Sequence, residues 1–192
     1  MQKPLVHIHA DESALGLQFT DRDSPGGAAG VVEFWKDHKW ERRDYWISEP
    51  STTNNRMAIR SAIEGLSALK RPCRVIFVSD SQYLVRGASE WMEGWARAGW
   101  KRKSGALENL ELWQQLYDVA KRHDIEWKWV RGHAGHPQNE YANFLAMRAA
   151  KEQTHSGGLV ESGFSQWLAE QREKYDKYLM FDETAPIEAP TE

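Results

Sequence analysis

The chain has 192 residues, 41% of them hydrophobic, which suits one domain with an appendage and excludes wholesale disorder. Cys73 is the single cysteine, so no internal disulfide can form. No apolar run approaches the roughly 18 residues of a membrane helix, so we expect a cytoplasmic protein without membrane contact. The net charge of −3 divides unevenly, because residues 161–192 hold three basic and eight acidic residues while residues 86–103 hold five basic and two acidic ones. The total therefore does not exclude a nucleic-acid partner.

Alternation of apolar and polar residues predicts the first strands. Leu5–Asp11, Ala28–Trp35 and Trp40–Ile47 are strand-like and joined by short connections, which predicts an antiparallel meander. The elements that follow are, in chain order, a helix after the capping residues 51–54, a buried strand over Arg74–Ser79, short helices through Trp100, a helix over Asn109–Arg122, a strand over Ile125–Val130 and a helix from Pro137 to about Glu152. This order predicts one α/β domain with a mixed sheet and helices on its faces.

The C-terminal part of the chain is predicted to be an appendage. We expect a domain over residues 1–152, then residues 153–180 with a hinge at Ser156–Gly158 and an amphipathic helix, then an acidic, disordered tail over residues 181–192. The helix is indicated by apolar residues at helical spacing from Phe164 onward. Its apolar stripe packs on the domain, on a protein partner or on a second copy of the chain, and the sequence leaves these alternatives open.

Two aspartates stand where predicted strands end. Asp11 ends the first strand and Asp80 follows the fourth, and ligands of open α/β sheets bind at such carboxyl ends. Two carboxylates brought together there repel each other unless cations lie between them, which favours a divalent metal site. The alternative is that each aspartate caps a turn or a helix. In the loop Gly132–Pro137, His133 and His136 have a zinc-like spacing, but no further ligand lies nearby, which favours a surface loop.

Tryptophans alternate with positive charge in the middle of the chain. Trp91 and Trp95 share a helix face, and Trp100 leads directly into the basic run Lys101–Lys103. Such a surface can stack on sugars or bases and neutralise phosphates, which is typical of nucleic-acid binding. The alternative is that the tryptophans belong to the core and that the charges form a solvated rim.

Three motifs together resemble ribonuclease H type 1. They are Thr52–Met57, Ser79–Tyr83 and Trp129–Pro137, and the resemblance extends over about Leu5 to Lys151. It implies an α/β fold with a five-stranded mixed sheet, three antiparallel strands and then two parallel ones, flanked by helices. It also implies binding of an RNA–DNA hybrid and endonucleolytic hydrolysis of its RNA strand with divalent ions, Mg²⁺ or Mn²⁺.

The resemblance breaks at two of the four carboxylates that hold the metal ions in this family. Asp11 matches the first position and Asp80 the third. Ala58 stands at the second, where glutamate is expected, and Asn143 stands at the fourth, where aspartate is expected. Asn143 keeps an oxygen that can bind a metal, whereas Ala58 keeps none. We therefore expect weak or abolished activity, with Asp11, Asp80 and Asn143 as catalytic and metal-binding residues. The alternative is a non-catalytic hybrid-binding protein.

Two other carboxylates could replace the missing ones. Glu12 follows Asp11 where the family usually has glycine, and Glu140 precedes Asn143 by three residues on the same predicted helix. The alternative is that Glu12 faces solvent and that Glu140 only favours the helix N-terminus by its charge. The resemblance assigns proton transfer or product release to His133. It assigns hybrid binding to the following residues: Thr53, Asn54, Asn55, Gln82, Trp91, Trp95, Trp100, Lys101, Arg102 and Lys103.

Overall fold

A computed structural model describes residues 3–16, 24–101, 105–132 and 134–185. The strands are β1 (Leu5–Ala14), β2 (Ser24–Lys36), β3 (Lys39–Thr52), β4 (Arg74–Ser79), β5 (Asp124–Trp129) and β6 (Val160–Glu161). The helices are α1 (Asn54–Ser67), α2 (Gln82–Arg86), α3 (Met92–Arg97), α4 (Leu110–Ala120), α5 (Pro137–Glu152) and α6 (Phe164–Tyr175), with a π-helical turn over Gly87–Trp91. No helix within these ranges is long and apolar enough to cross a membrane.

The strands form one mixed sheet in the order β5-β4-β1-β2-β3-β6. β2 is antiparallel to both β1 and β3, while β4 runs parallel to β1 and β5 runs parallel to β4. The predicted α/β class and mixed sheet are confirmed, but the expected number of five strands is wrong, because the sheet has six. The sixth, β6, pairs antiparallel with β3. It exists because the chain after α5 returns along the free edge of β3, where the Ser156 amide donates to the Trp46 carbonyl at 3.0 Å.

Alternation along β1 assigns its side chains to the two faces of the sheet. Val6, Ile8 and Ala10 belong to the large core cluster, which also contains buried residues of α1 and α4. His7 and His9 therefore point to the opposite face, on which α5 packs against β1 and β2. This alternation also determines from which face each residue at the end of β1 approaches the candidate site.

Two helices begin directly after strands that point to the same end of the sheet. The Thr53 hydroxyl caps α1 by accepting a hydrogen bond from the Arg56 amide at 3.3 Å. The Ser81 hydroxyl caps α2 by accepting from the Leu84 amide at 3.3 Å. Because β1, β3, β4 and β5 all run in one direction, their C-terminal ends lie together. We call this end of the sheet the carboxyl edge; it holds Asp11, Thr52, Ser79 and Trp129.

The residues after α5 pack on the same face of the sheet as α5. Phe164 and Leu168 of α6 are fully buried in a cluster with Val31 of β2 and Leu145 of α5. Burying an apolar side chain of this size stabilises a protein by about 1.5–3 kcal/mol. The apolar stripe of α6 therefore contributes to the core of this chain. The division of the chain at residue 152 stays a prediction, and residues 186–192 of the predicted tail lie outside the described residues.

Candidate functional site

Asp11 and Asp80 meet at the carboxyl edge. The parallel pairing of β1 with β4 ends at Ala10 and Ser79, so the next residue of each strand stands at the same place. Oxygens of Asp11, Glu12 and Asp80 all lie within 4.8 Å of one another. Among the described residues, this is the one group of three or more histidine, cysteine or acidic side chains close enough to share a metal ion.

Glu12 approaches the cluster from the face of the sheet that carries α1. Strand alternation places it on the side of Ala10, whose core cluster also contains the fully buried Ala58 of α1. Because the pairing with β4 stops at Ala10, no strand in the described part of the chain pairs with this edge of β1 beyond that residue, and Asp11 and Glu12 both border the gap. Glu12 of β1 thus supplies a carboxylate on the same face of the sheet as α1. Ala58 of α1 supplies none.

The three carboxylates concentrate negative charge at a site of low exposure. Asp11 is 6% exposed, and burial together with repulsion by Asp80 raises the pKa of Asp11 to about 8. Burial and the charges of Asp11 and Asp80 raise the pKa of Glu12 well above its usual range. A divalent cation between the oxygens would relieve this repulsion, and Mg²⁺ and related hard cations prefer carboxylate oxygens. The donor set therefore fits a divalent metal ion.

Trp129, the last residue of β5, and Gly132, three residues further on, both lie against Asp80. The Trp129 indole N–H donates to the Asp80 backbone carbonyl at 2.9 Å. A Cβ atom at Gly132 would collide with Oδ2 of Asp80, so glycine alone leaves room for the carboxylate there. Sequence reasoning did not assign either residue this contact. The motif Trp129–Pro137 contained both residues, but the atoms that they contact are set by the pairing of β5 with β4.

Helix α5 carries the two remaining acidic or amide candidates. Asn143 is half-buried on this helix, and Glu140 lies one turn before it. The charge of Glu140 adds to the effect of burial and of Asp80 in raising the pKa of Asp11. Of the two predicted substitutes, Glu12 belongs to the group of carboxylates within 4.8 Å of one another, and Glu140 does not.

The predicted hybrid contacts of α1 and α2 lie at the carboxyl edge. Asn54 and Asn55 form the first turn of α1, directly after the capping residue Thr53, and Gln82 begins α2. Asn54 and Gln82 are exposed, so their side chains are accessible to a ligand at this end of the sheet. Three further predicted site residues lie outside the described part of the chain: Arg102, Lys103 and His133.

The tryptophan segment is divided between core and surface. Trp95 packs edge-on against the buried Trp113 with ring centroids 5.4 Å apart, and Trp100 is half-buried against the core. Trp91 is 38% exposed, and the Arg86 guanidinium lies 5.1 Å from its ring centroid. Lys101 is exposed. The core interpretation thus suits Trp95 and Trp100, while Trp91 offers an exposed ring beside positive charge.

The fold and the carboxylate cluster together define a nuclease of the ribonuclease H-like α/β class, and comparisons with known proteins agree. The RNase H family model matches residues 5–151. Ribonuclease H of Stutzerimonas stutzeri (strain A1501) is 43% identical over 149 residues, which cover 77% of this chain and 93% of that protein. Ribonuclease H of Halorhodospira halophila (strain DSM 244 / SL1) is 48% identical over 139 residues, which cover 70% and 91%. The chain belongs to the ribonuclease H family, whose members bind RNA–DNA hybrids, cleave the RNA strand and use divalent metal ions.

Solved structures show the same fold. The crystal structure of LC9-RNase H1, described as a type 1 RNase H with the type 2 active-site motif, is 52% identical with a TM-score of 0.82, over 88% of this chain and 82% of that chain. The solution structure of the PFV RNase H domain has a TM-score of 0.65 at 20% identity, over 79% and 97%, and supports the fold alone.

Proposed function

We propose that this chain is an active ribonuclease H type 1 that hydrolyses the RNA strand of RNA–DNA hybrids endonucleolytically, with Glu12 in place of the glutamate that Ala58 lacks. The observation that carries this proposal is the grouping of Asp11, Glu12 and Asp80 within 4.8 Å. The similarity to a type 1 RNase H with the type 2 active-site motif supports the proposal. That structure indicates that the type 1 fold can carry more than one active-site motif. Glu12 favours efficient cleavage over the weak activity expected from Ala58 alone.

The metal ions of the proposed site are Mg²⁺ or Mn²⁺. Asp11, Glu12 and Asp80 would hold them through carboxylate oxygens, and Asn143 would add a neutral amide oxygen. Such ions, when bound, activate a water molecule and stabilise the leaving 3′ oxygen. Trp129 holds the backbone carbonyl of Asp80, and Gly132 leaves room for its carboxylate. His133 is proposed as the loop histidine that moves a proton or assists product release, on the strength of its motif.

The proposed hybrid surface extends from the carboxyl edge toward Trp91. Asn54 and Asn55 begin α1 and Gln82 begins α2, and we propose that their amide groups contact the 2′-hydroxyl and the backbone of the RNA strand. Trp91 and the basic run Lys101–Lys103 are proposed to contact the other strand by stacking and charge. A cytoplasmic location, and a protein partner or self-association through α6, stay predictions.

The role of Glu12 is tested by removing its carboxylate from β1 and by placing a carboxylate at position 58 of α1 instead. Glu12→Gln should lower the rate of hybrid cleavage by about a hundredfold or more, since losing even an outer partner of a metal ligand costs ten- to a hundredfold. The double variant Glu12→Gly/Ala58→Glu should restore much of the lost rate, because it moves the carboxylate back to α1. Ala58→Glu alone should not raise the rate, since it adds a charge at a fully buried position beside Glu12. The assay is cleavage of a hybrid with a labelled RNA strand in Mg²⁺ and in Mn²⁺.

Two outcomes would contradict the assignment of Glu12. One is a Glu12→Gln variant that cleaves like the unsubstituted chain, and the other is an Ala58→Glu variant that is faster by orders of magnitude. If the unsubstituted chain binds the hybrid tightly and does not cleave it with either metal, the chain is instead the non-catalytic hybrid-binding protein considered above.

A further inference from the structure

The chain beyond α6 is fastened to the body of the protein. We call residues 176–185 the C-terminal strap. It begins at Asp176, which ends α6 with a positive φ angle, and Tyr178 has a positive φ angle as well. Arg172 of α6 donates to the Tyr178 carbonyl at 3.4 Å and to the Phe181 carbonyl. Arg42 of β3 donates to the Glu183 carbonyl at 2.9 Å, so the strap is held at both ends.

The strap lies opposite the loop that precedes α5. A groove of about 630 Å³ separates residues 176–181 from Gly135, Pro137 and Glu140. The Tyr178 ring packs against Trp167 of α6 with centroids 5.7 Å apart, and Trp167 in turn packs against Tyr141 of α5 at 5.4 Å. These two contacts connect the strap to the first turn of α5, which carries Glu140.

Glu140 lines the groove beside the strap, and Gly132, in the segment before α5, lies against Oδ2 of Asp80. The charge of Glu140 helps to raise the pKa of the Tyr178 hydroxyl, after the larger effect of burial. The same charge helps to raise the pKa of Asp11, after burial and Asp80. Glu140 is therefore within electrostatic range of a strap residue on one side and of a candidate metal ligand on the other.

We propose that residues 176–181, which form one wall of this groove, brace the first turn of α5 and the loop before it, with Tyr178 as the positioning residue that acts through Trp167 and Tyr141. The bracing itself depends only on the packing of the strap, whereas its effect on metal binding rests on the proposed function. Because α5 carries both Glu140 and Asn143, a looser first turn allows the cluster to hold its metal ion less tightly.

Tyr178→Ala in the full chain tests the wall, and Tyr178→Phe keeps the ring while removing the hydroxyl. Tyr175→Ala is the matched control, since Tyr175, the last residue of α6 next to the strap, is 61% exposed and does not line the groove. In Tyr178→Ala, amide hydrogen exchange of residues 134–141 should be about three- to tenfold faster, the range expected from losing one aromatic contact. The Mg²⁺ concentration at half-saturation should rise by a similar factor in calorimetric titration without substrate and in hybrid cleavage.

The two variants at position 178 should differ from each other and from the control. Tyr178→Phe should retain the slow exchange of residues 134–141, and Tyr175→Ala should match the unsubstituted chain in every measurement. The proposal is overturned if Tyr178→Ala and Tyr175→Ala have the same exchange rates and the same Mg²⁺ half-saturation. If exchange changes as expected but no variant or unsubstituted chain cleaves a hybrid, the wall stands and the proposed function fails.

Discussion

Replacement of Asp11 by asparagine should stabilise the metal-free protein, although Asp11 belongs to the candidate metal site. Burial and the charge of Asp80 raise the pKa of Asp11 from 3.8 to about 8. Between these pH values the native state retains a proton that the unfolded chain releases, so the free energy of unfolding falls as the pH rises through this window. Asparagine cannot ionise, so the variant escapes this loss.

The size of the effect follows from the width of the window. One unit of pKa difference corresponds to about 1.4 kcal/mol, and pH 7 lies about three units above the ordinary pKa of an aspartate, which sets an upper bound of ~4 kcal/mol. Local relaxation and water penetration reduce this value, so we expect Asp11→Asn to raise the free energy of unfolding by about 2–4 kcal/mol at pH 7 without metal. The difference should shrink to about 0.5 kcal/mol at pH 4, where Asp11 is protonated in the native state and only slightly more than half ionised in the unfolded chain.

Urea unfolding in EDTA at pH 4, 7 and 8 measures the effect, and a second series contains millimolar Mg²⁺. Asp124→Asn is the matched control, because Asp124 forms an exposed ion pair with Lys3 at 2.8 Å and should change stability by less than about 1 kcal/mol. Mg²⁺ should stabilise the unsubstituted chain and should stabilise Asp11→Asn much less. An Asp11→Asn variant that is no more stable than the unsubstituted chain in EDTA at pH 7 would refute the argument from repulsion.

Three further predictions concern the residues around the site and the second face of the sheet. Trp129→Phe removes the hydrogen bond to the Asp80 carbonyl and should slow hybrid cleavage about tenfold, whereas the unfolding midpoint should change little; equal cleavage rates would refute the positioning role. Gly132→Ala should abolish most cleavage in a folded protein, because its Cβ would displace the Asp80 carboxylate; circular dichroism checks the fold. Arg42→Met should cost about 3–5 kcal/mol in urea unfolding, because it removes a partner of the fully buried Glu33. Burial opposes ionisation of Glu33, but hydrogen bonds and charge from His9 and Arg42 outweigh burial and lower the pKa of Glu33 to about 2. The stabilisation that ionised Glu33 contributes should therefore be lost only as the pH falls from 4.5 toward 2.

The sequence predicted those parts of the fold that depend on local periodicity. The strands β1 to β5 have alternating or continuous apolar patterns, and α1 begins at a predicted capping residue, Thr53. The two residues of β6 have no such pattern, because this strand exists only through its pairing with Arg43 and Asp44 of the distant β3. A two-residue strand cannot be recognised from periodicity, and the expected strand number was therefore too low.

The candidate site was predictable in position and less so in composition. Asp11 and Asp80 could be placed together from the predicted strand ends, although β1 continues past Asp11 to Ala14 and only its pairing with β4 stops, at Ala10. Whether Glu12 joins the metal site could not be decided from the sequence. Strand alternation alone directs its side chain to the face of the sheet opposite to that of Asp11. The contribution of Glu12 depends on where the pairing of β4 with β1 stops, at Ala10, and this is a property of the folded sheet.

The position of Glu12 determines which elements must keep a fixed distance for the metal site to keep its geometry. With a glutamate at position 58, the ligand set would span a strand and a separate helix, and any sliding of α1 over the sheet would alter the distance between ligands. Asp11 and Glu12 are instead joined by one peptide bond, so two of the three carboxylates move as a unit. Substitutions in the core of α1, at Ile59 or Leu66 for example, should therefore weaken the fold before they disturb the geometry of the carboxylate cluster.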